Sequence, residues 1–144
     1  MAFALDEQQQ MIAETAAAFF AENAGGERTR AAMASGIDRD LWRAYCRELG
    51  FGGLTVPQDL GGAGLGHVEL AIVAEQAGRT LAAIPLLGHA MATAALLASG
   101  DRAAIDAHLP AMMAGDRIVA AGERGGEGPL VPHAAQCDLL LLLG

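Results

Sequence analysis

A glycine-rich loop is the first feature of the sequence that could do chemistry. Gly62, Gly64 and Gly66 alternate with other residues directly before a predicted helix, and backbone N–H groups at a helix N-terminus can bind phosphate. A dinucleotide-binding fingerprint requires a preceding buried strand and a different glycine spacing. Here Pro57 interrupts the preceding segment and the last glycine comes one residue early. The pattern therefore favours a flexible turn between two helices of a bundle.

The side chains most often used in catalysis form no recognisable motif. The histidines are His67, His89, His108 and His133. No two of them are neighbours on a helix, so their spacing does not indicate a metal site. We expect His67 in a loop or a first helical turn, and His89 buried with a backbone partner. The two serines lack an elbow motif and the two cysteines form no C-x-x-C pair, which excludes a serine nucleophile and favours reduced thiols.

Three glutamates are candidate groups for proton transfer, namely Glu69, Glu75 and Glu123. Glu69 and Glu75 are six residues apart, so a helix would place them on different faces. Glu75 is also four residues from Arg79, which is the spacing of an ordinary ion pair on a helix surface. We therefore expect these carboxylates to be solvated or paired with a nearby arginine.

Small or flexible side chains with helical spacing follow the third predicted helix. They are Ala83, Ile84, Leu87, Gly88 and Met91. Such a set could line a slot for an aliphatic chain. From composition alone, a tightly packed helix crossing explains the same residues better.

The composition excludes several classes of function. The 144 residues are 53% hydrophobic and carry a net charge of −8, with arginine as the only cation other than histidine. So acidic a surface does not attract nucleic acid or anionic membranes. Residues 80–100 contain no charge, but Pro85, Gly88 and His89 interrupt them, which favours a fully buried helix over a membrane span. Asp6 and Glu7 precede any apolar run, so we expect no secretory signal and a cytoplasmic protein.

Hydrophobic periodicity predicts a helical bundle. The predicted helices cover residues 7–23, 38–50, 67–80, 85–100 and a fifth segment that begins at Asp101. Asp6 and Gln9 form a capping box for the first helix, and Pro110 is expected to break the last one. Residues 51–57 are predicted to be extended, and the apolar run 70–74 is predicted to be buried.

The pattern changes to β after Gly115. Residues 118–121 and 139–143 are predicted strands, and Leu130 and Val131 form a short extended piece. So few strands cannot form an independent sheet, and five consecutive leucines would leave an apolar edge exposed. The sequence therefore predicts a β region that is incomplete or that pairs with another chain.

The order of these pieces resembles the N-terminal helical domain of acyl-CoA dehydrogenases. The resemblance rests on L-D-E-Q-Q at 5–9, L-G-F-x-x-L-x-V-P-x-x-x-G-G-x-G at 49–64, E-x-x-G-R at 75–79 and L-P-A-M-M-A-G-D at 109–116. It implies a mostly α fold, in which residues 1–116 form a helical bundle of acyl-CoA dehydrogenase type. Residues 117–144 would be a short, incomplete β segment, a truncated or shortened form of the family's middle β-domain.

The resemblance also implies a chemistry, namely α,β-dehydrogenation of an acyl-CoA thioester with FAD. By resemblance, the wall of the acyl pocket is formed by Ala83, Ile84, Leu87, Gly88 and Met91. The flavin would be approached by Gly122, Glu123 and Gly125, where Gly122 stands in place of the family's usual threonine. The family's glutamate base belongs to a C-terminal helical domain with no counterpart in this sequence, so we name no catalytic residue.

Three hypotheses remain open at this point. The chain is the N-terminal part of an acyl-CoA dehydrogenase-like flavoprotein, or a non-catalytic helical subunit that docks on a full-length dehydrogenase-like chain. The third is a decayed reading frame that retains a stable bundle. In the first two hypotheses we expect a homo-oligomer or a hetero-oligomer with a dehydrogenase-like chain.

Overall fold

The computed structural model describes residues 4–123 and 131–143. The helices are α1 (Glu7–Asn23), α2 (Gly26–Ala32), α3 (Arg39–Glu48), α4 (His67–Arg79), α5 (Leu86–Ser99) and α6 (Arg102–Met113). The strands are β1 (Val119–Glu123) and β2 (Leu139–Leu143). The fold is mostly α with a short two-stranded sheet, which confirms the predicted fold class.

Side-chain caps determine where several helices begin. The Asp6 carboxylate accepts a hydrogen bond from the Gln9 amide at 2.8 Å, and the Gln9 side chain accepts one from the Asp6 amide. This capping box confirms the predicted start of α1. The carboxylates of Asp38 and Asp101 cap α3 and α6 by accepting from the amides of Leu41 and Ala104, without the reciprocal bond of a capping box. Gly100 ends α5 in the left-handed conformation that glycine adopts without strain.

The first turns of α1 and α4 are joined by a side-chain hydrogen bond. Gln9 donates from Nε2 to Glu69 Oε1 at 2.9 Å. The other oxygen of Glu69 accepts from the Gly66 amide at 2.9 Å and thereby caps α4. The N-terminal ends of α1 and α4 are therefore held together by one continuous set of polar contacts.

Two apolar clusters form the interior. The aromatic core, defined by Phe19, Phe20, Trp42, Tyr45 and Phe51, lies where α1 and α3 meet. The ring of Tyr45 stacks on two others. Its centroid is 5.2 Å from that of Trp42 and 5.9 Å from that of Phe20. A second cluster joins α5 and α6 to the buried side of β1. Burial of these side chains is the main source of the stability of the bundle.

β1 and β2 pair in parallel, with Val119 opposite Leu139. Asp138 fixes this register, because its carboxylate accepts from the Ile118 amide at 2.8 Å while its own amide donates to the Ile118 carbonyl at 2.7 Å. Arg39 of α3 pairs with the same carboxylate at 3.2 Å. The predicted strands are confirmed at both positions, while Leu130 lies outside the described residues.

Two predictions about local structure are wrong. Residues 51–57 are not extended, since Phe51–Gly53 forms a 3₁₀ turn. At Gly52, an added Cβ would lie 2.1 Å from the Met113 carbonyl oxygen, so close packing on α6 determines the backbone there. Pro110 does not break α6, which continues to Met113. Burial of Leu109 and Met112 on either side of the proline holds the helix together despite the missing N–H.

The predicted burial of α4 and α5 is also wrong in part. Ala71 and Ala74 are exposed, and on α5 Leu87 and Met91 are 65% and 44% exposed. The apolar composition of a helix does not determine how much of it the same chain covers. Within the described residues, neither α5 nor any other helix combines the length and the apolar character needed to cross a membrane.

Candidate functional site

An apolar groove runs between α4 and α5 and continues along the exposed face of α5. Its first part has a volume of about 670 Å³, and its second part has a volume of about 380 Å³. The two parts share four lining residues, His67, Leu70, Leu87 and Ala90. We call the combined feature the α4–α5 groove.

The two ends of the α4–α5 groove differ in chemistry. Thr55 and Leu97 line only the second part of the groove, which we call the Thr55 end, and His67 lies in the part that both share. The opposite end, where α4 passes into α5, is lined by Gly78, Leu81 and other apolar residues. The groove therefore suits an elongated apolar ligand that has a polar group towards the Thr55 end.

The five residues predicted to form an acyl-pocket wall do not all face the groove. Ile84, Leu87 and Met91 line it. Ala83 precedes α5, and its carbonyl accepts a hydrogen bond from the Asp38 amide at 2.7 Å. Gly88 lies on the other side of α5, where an added Cβ would be 3.7 Å from the Pro132 carbonyl oxygen.

The wall contributed by α4 was not predicted. It consists mainly of Leu70, Ala71, Ala74 and Gly78. Small residues at 71, 74 and 78 recur with the spacing of one helix face, and this was the signal available in the sequence. It was masked by the apolar residues on the remaining faces of α4, which suggested complete burial.

The end of α4 has an unusual backbone conformation. Leu81 has a φ of 53°, in the left-handed region that a leucine rarely adopts. Its amide donates to the Gly78 carbonyl at 3.1 Å, and the Ala82 amide donates to the Ala77 carbonyl at 3.0 Å. These two bonds define a Schellman motif, in which glycine usually occupies the position of Leu81. Thr29 of α2 also donates to the Leu81 carbonyl at 3.0 Å.

His89 is buried, as predicted, on the side of α5 that faces away from the groove. Its Nε2 is 2.7 Å from the Gly52 carbonyl oxygen, and its ring lies edge-on to Trp42 with centroids 4.9 Å apart. Burial lowers the pKa of His89 below its ordinary value. The imidazole is therefore neutral and donates to Gly52, which couples α5 to the turn after α3.

The glycine-rich loop is a turn, as predicted, but it is not the flexible turn that we expected, because backbone hydrogen bonds and close packing hold it. Its amides donate to backbone carbonyls, from Ala63 to Gly53 at 2.9 Å and from Gly64 to Val56 at 2.8 Å. Those N–H groups are therefore not available to a phosphate. A Cβ at Gly62 would lie 2.1 Å from the Val56 carbonyl oxygen, so the close approach of the two segments requires glycine there.

Two of the three candidate glutamates have side-chain partners, but only Glu75 has the predicted nearby arginine. Glu69 joins α4 to α1 as described above, and the hydrogen bond from Gln9 contributes most to lowering its pKa. Glu75 pairs with Arg79 at 2.8 Å. Across residues 4–123 and 131–143, no three His, Cys, Asp or Glu side chains are grouped so that they could hold a metal ion.

Two of the three candidate flavin residues lie at the end of β1, and Gly125 lies outside the described residues. Gly122 is half-buried opposite Leu142, and Glu123 is exposed. Val119, Ala120 and Ala121 are buried. The described part of this strand thus offers one polar side chain and a few backbone groups, which do not by themselves make a flavin site.

The sequence is similar to a protein-family model and to curated proteins. Residues 6–116 match the family model described as acyl-CoA dehydrogenase, N-terminal domain. The chain is 46% identical over 95 residues to acyl-CoA dehydrogenase IpdE2 of Mycobacterium tuberculosis, covering 65% of this chain and 30% of that protein. The IpdE2 of Mycolicibacterium smegmatis is 40% identical over 98 residues, covering 67% and 32%. The chain thus spans about a third of the length of these relatives.

Solved structures share the fold. The ChsE4–ChsE5 complex from Mycobacterium tuberculosis matches with a TM-score of 0.71 and 27% identity, over 90% of this chain and 36% of that one. A Tcur3481–Tcur3483 steroid ACAD variant matches with a TM-score of 0.67 and 32% identity, over 83% and 34%. PigA with FAD and proline has a TM-score of 0.76 at 21% identity, over 99% and 44%, and that likeness shows the fold alone.

Proposed function

Because this chain belongs to the acyl-CoA dehydrogenase family through its N-terminal domain, we propose that its α4–α5 groove forms one wall of an acyl-binding pocket. The observation that carries the proposal is the continuous apolar surface along α4 and α5. Leu87 and Met91 lie on it and remain 65% and 44% exposed. Apolar side chains left open in a groove are available to bury an aliphatic or alicyclic ligand.

The proposed reaction explains why an apolar wall matters. Dehydrogenation removes a proton from the α-carbon and a hydride from the β-carbon of the thioester, and FAD supplies the hydride acceptor. The acyl group has to be held flat and away from water while this happens. The groove residues of this chain would provide that hold, with Thr55 and His67 towards the polar thioester. We assign no proton-abstracting base to this chain.

We infer that most of the FAD site lies in polypeptide outside this chain. Gly122, Glu123 and Gly125 remain our proposed flavin contacts. If that polypeptide belongs to the same protein, this chain is the N-terminal part of a flavoprotein. If it belongs to another subunit, this chain is a helical partner subunit. The proposed acyl substrate is a CoA thioester of lipid origin, and the relation at 32% identity to a steroid ACAD supports a bulky acyl group.

A second candidate function is that of a partner subunit. The observation that favours it is the relation at 27% identity to the ChsE4–ChsE5 complex, in which two different chains assemble. The exposed leucines of β2 provide an apolar edge for such an assembly. Leu140, Leu142 and Leu143 are 38–46% exposed.

A nuclear magnetic resonance titration of the 144-residue protein tests the acyl-wall proposal. We expect dodecanoyl-CoA to shift the signals of Leu70, Ala74, Leu87 and Ala90, and CoA alone to leave them unchanged. The variant Ala74→Trp fills the groove and should abolish the shifts. Ala18→Trp places the same side chain at an exposed position of α1 and should preserve them. Shifts confined to other surfaces, or equal shifts with CoA alone, would contradict the proposal.

A flavin-retention experiment distinguishes the two candidate functions. The protein is mixed with an equimolar amount of FAD and passed over a sizing column, and the absorbance of the protein peak is recorded. A flavin band that travels with the protein supports a chain with its own cofactor site. A folded, colourless protein supports dependence on a partner chain or a further segment for FAD.

A further inference from the structure

We propose that Leu81 determines which acyl groups the α4–α5 groove accepts, by contacting the end of the acyl group farthest from the thioester. The proposal rests on the proposed function and goes beyond it, because it assigns substrate selection to one residue. Leu81 lines the apolar end of the groove, opposite the Thr55 end. A thioester placed near the polar side chains would direct the distal acyl carbons towards Leu81.

The backbone of Leu81 is the first observation in favour of this role. The C′ position of a Schellman motif requires a positive φ, which costs a leucine free energy that a glycine does not pay. Leu81 nevertheless occupies that position with a φ of 53°. The hydrogen bonds from Leu81 to Gly78 and from Thr29 to Leu81 hold it there. Backbone strain of this kind occurs where a side chain is needed at a fixed place.

The exposure of Leu81 is the second, independent observation. Its side chain is 72% exposed, more than that of Leu87 or Met91. It therefore adds little to the core of this chain, so core packing does not explain the choice of leucine. The exposed apolar surface lies at the rim of the groove and is available to a ligand that reaches this end.

The test compares two acyl chain lengths on variants that keep the fold. Leu81→Gly and Leu81→Asn both suit a positive φ, so we expect the thermal unfolding midpoint to rise by about 2–4 °C, or at least not to fall. The same variants remove the apolar contact. We expect dodecanoyl-CoA to bind these variants about tenfold more weakly than it binds the unchanged protein. Hexanoyl-CoA, whose acyl group we expect to end before Leu81, should bind with unchanged affinity.

The matched control is Met33→Ala, which removes an apolar side chain that is 77% exposed but lies outside the groove. It should leave the binding of both thioesters unchanged. Variants of Leu81 that bind dodecanoyl-CoA as tightly as the unchanged protein would overturn the proposal, while the acyl-wall function would stand. If neither thioester shifts groove signals in the unchanged protein, the acyl-wall function itself fails and the role of Leu81 fails with it.

Discussion

The aromatic core between α1 and α3 and the α4–α5 groove are both apolar, but this chain covers only the first. Trp42 and Tyr45 are fully buried, whereas Leu81 and Leu87 are 72% and 65% exposed. The core joins aromatic rings from several segments that lie far apart in the sequence, while the groove consists mainly of small and aliphatic residues from two consecutive helices. Helical periodicity thus identifies apolar faces but does not show whether the same chain covers them.

The largest difference between the two regions should appear when a large side chain is truncated in each. Trp42→Ala leaves a cavity in the core and should lower the free energy of unfolding by about 3–5 kcal/mol. Leu87→Ala removes an exposed side chain and should change it by less than about 0.5 kcal/mol. Urea unfolding followed by far-ultraviolet circular dichroism measures both. A loss of stability at Leu87 as large as that at Trp42 would mean that the groove is part of the core.

Two glycine variants, one in each region, should change the free energy of unfolding by smaller amounts and with opposite signs. Gly52→Ala places a Cβ 2.1 Å from the Met113 carbonyl oxygen and should cost at least about 1–3 kcal/mol. Gly78 faces the groove in α4, and nothing lies within 4 Å of an added Cβ there. Gly78→Ala should therefore stabilise the protein by about 0.5–1 kcal/mol through its helix propensity. Thermal unfolding of the two variants gives the sign of each effect, and destabilisation by Gly78→Ala would show that the groove is more tightly packed than we describe.

The pH dependence of stability probes the core side of α5, where His89 is buried. His89 has a lowered pKa in the folded protein because of burial, whereas the unfolded chain binds a proton near the ordinary value of 6.5. As the pH falls below about 6.5, the unfolded state gains a proton that the folded state does not. The free energy of unfolding should then decrease by up to about 1.4 kcal/mol per pH unit.

The control for this effect is His89→Gln, which keeps an N–H donor for the Gly52 carbonyl but does not titrate. Urea unfolding should show that the free energy of unfolding of this variant depends less on pH than that of the unchanged protein, between about pH 6.5 and about pH 5. The pKa of Asp38, which is lowered by its hydrogen bond from Arg28, affects stability only in more acidic solution. The same slope in both proteins would contradict a neutral, buried His89.

The sequence was sufficient to predict features that depend on neighbouring residues. The start of α1 follows from Asp6 and Gln9, which are three residues apart, and the turn nature of the glycine-rich loop follows from its spacing. The sequence-based predictions were wrong where the local conformation depends on tertiary packing. The conformation at Gly52 depends on Met113, and the continuity of α6 through Pro110 depends on burial of its neighbours.

The candidate site was predictable only in part for the same reason. Leu87 and Met91, which line the groove, were proposed from the family resemblance, whereas their helical spacing alone favoured a packed helix crossing. The residues of α4 that line the groove could not be assigned to the same site, because the sequence does not show that α4 lies beside α5. The unusual backbone of Leu81 had no sequence signal at all, since a leucine after a helix does not by itself indicate a positive φ.

The contact between Gln9 and Glu69 has a consequence for how the helix ends open. Because this hydrogen bond joins the capping box of α1 to the glutamate that caps α4, the first turns of α1 and α4 should fray as one unit, and the Gln9 and Gly66 amides should lose protection from hydrogen exchange together. His67 directly follows Gly66, so local opening of the chain's N-terminal helix would also release the histidine that lies in the middle of the groove. Gln9, which lies 60 positions before its partner Glu69, thereby helps to keep the polar side chain of the groove in place.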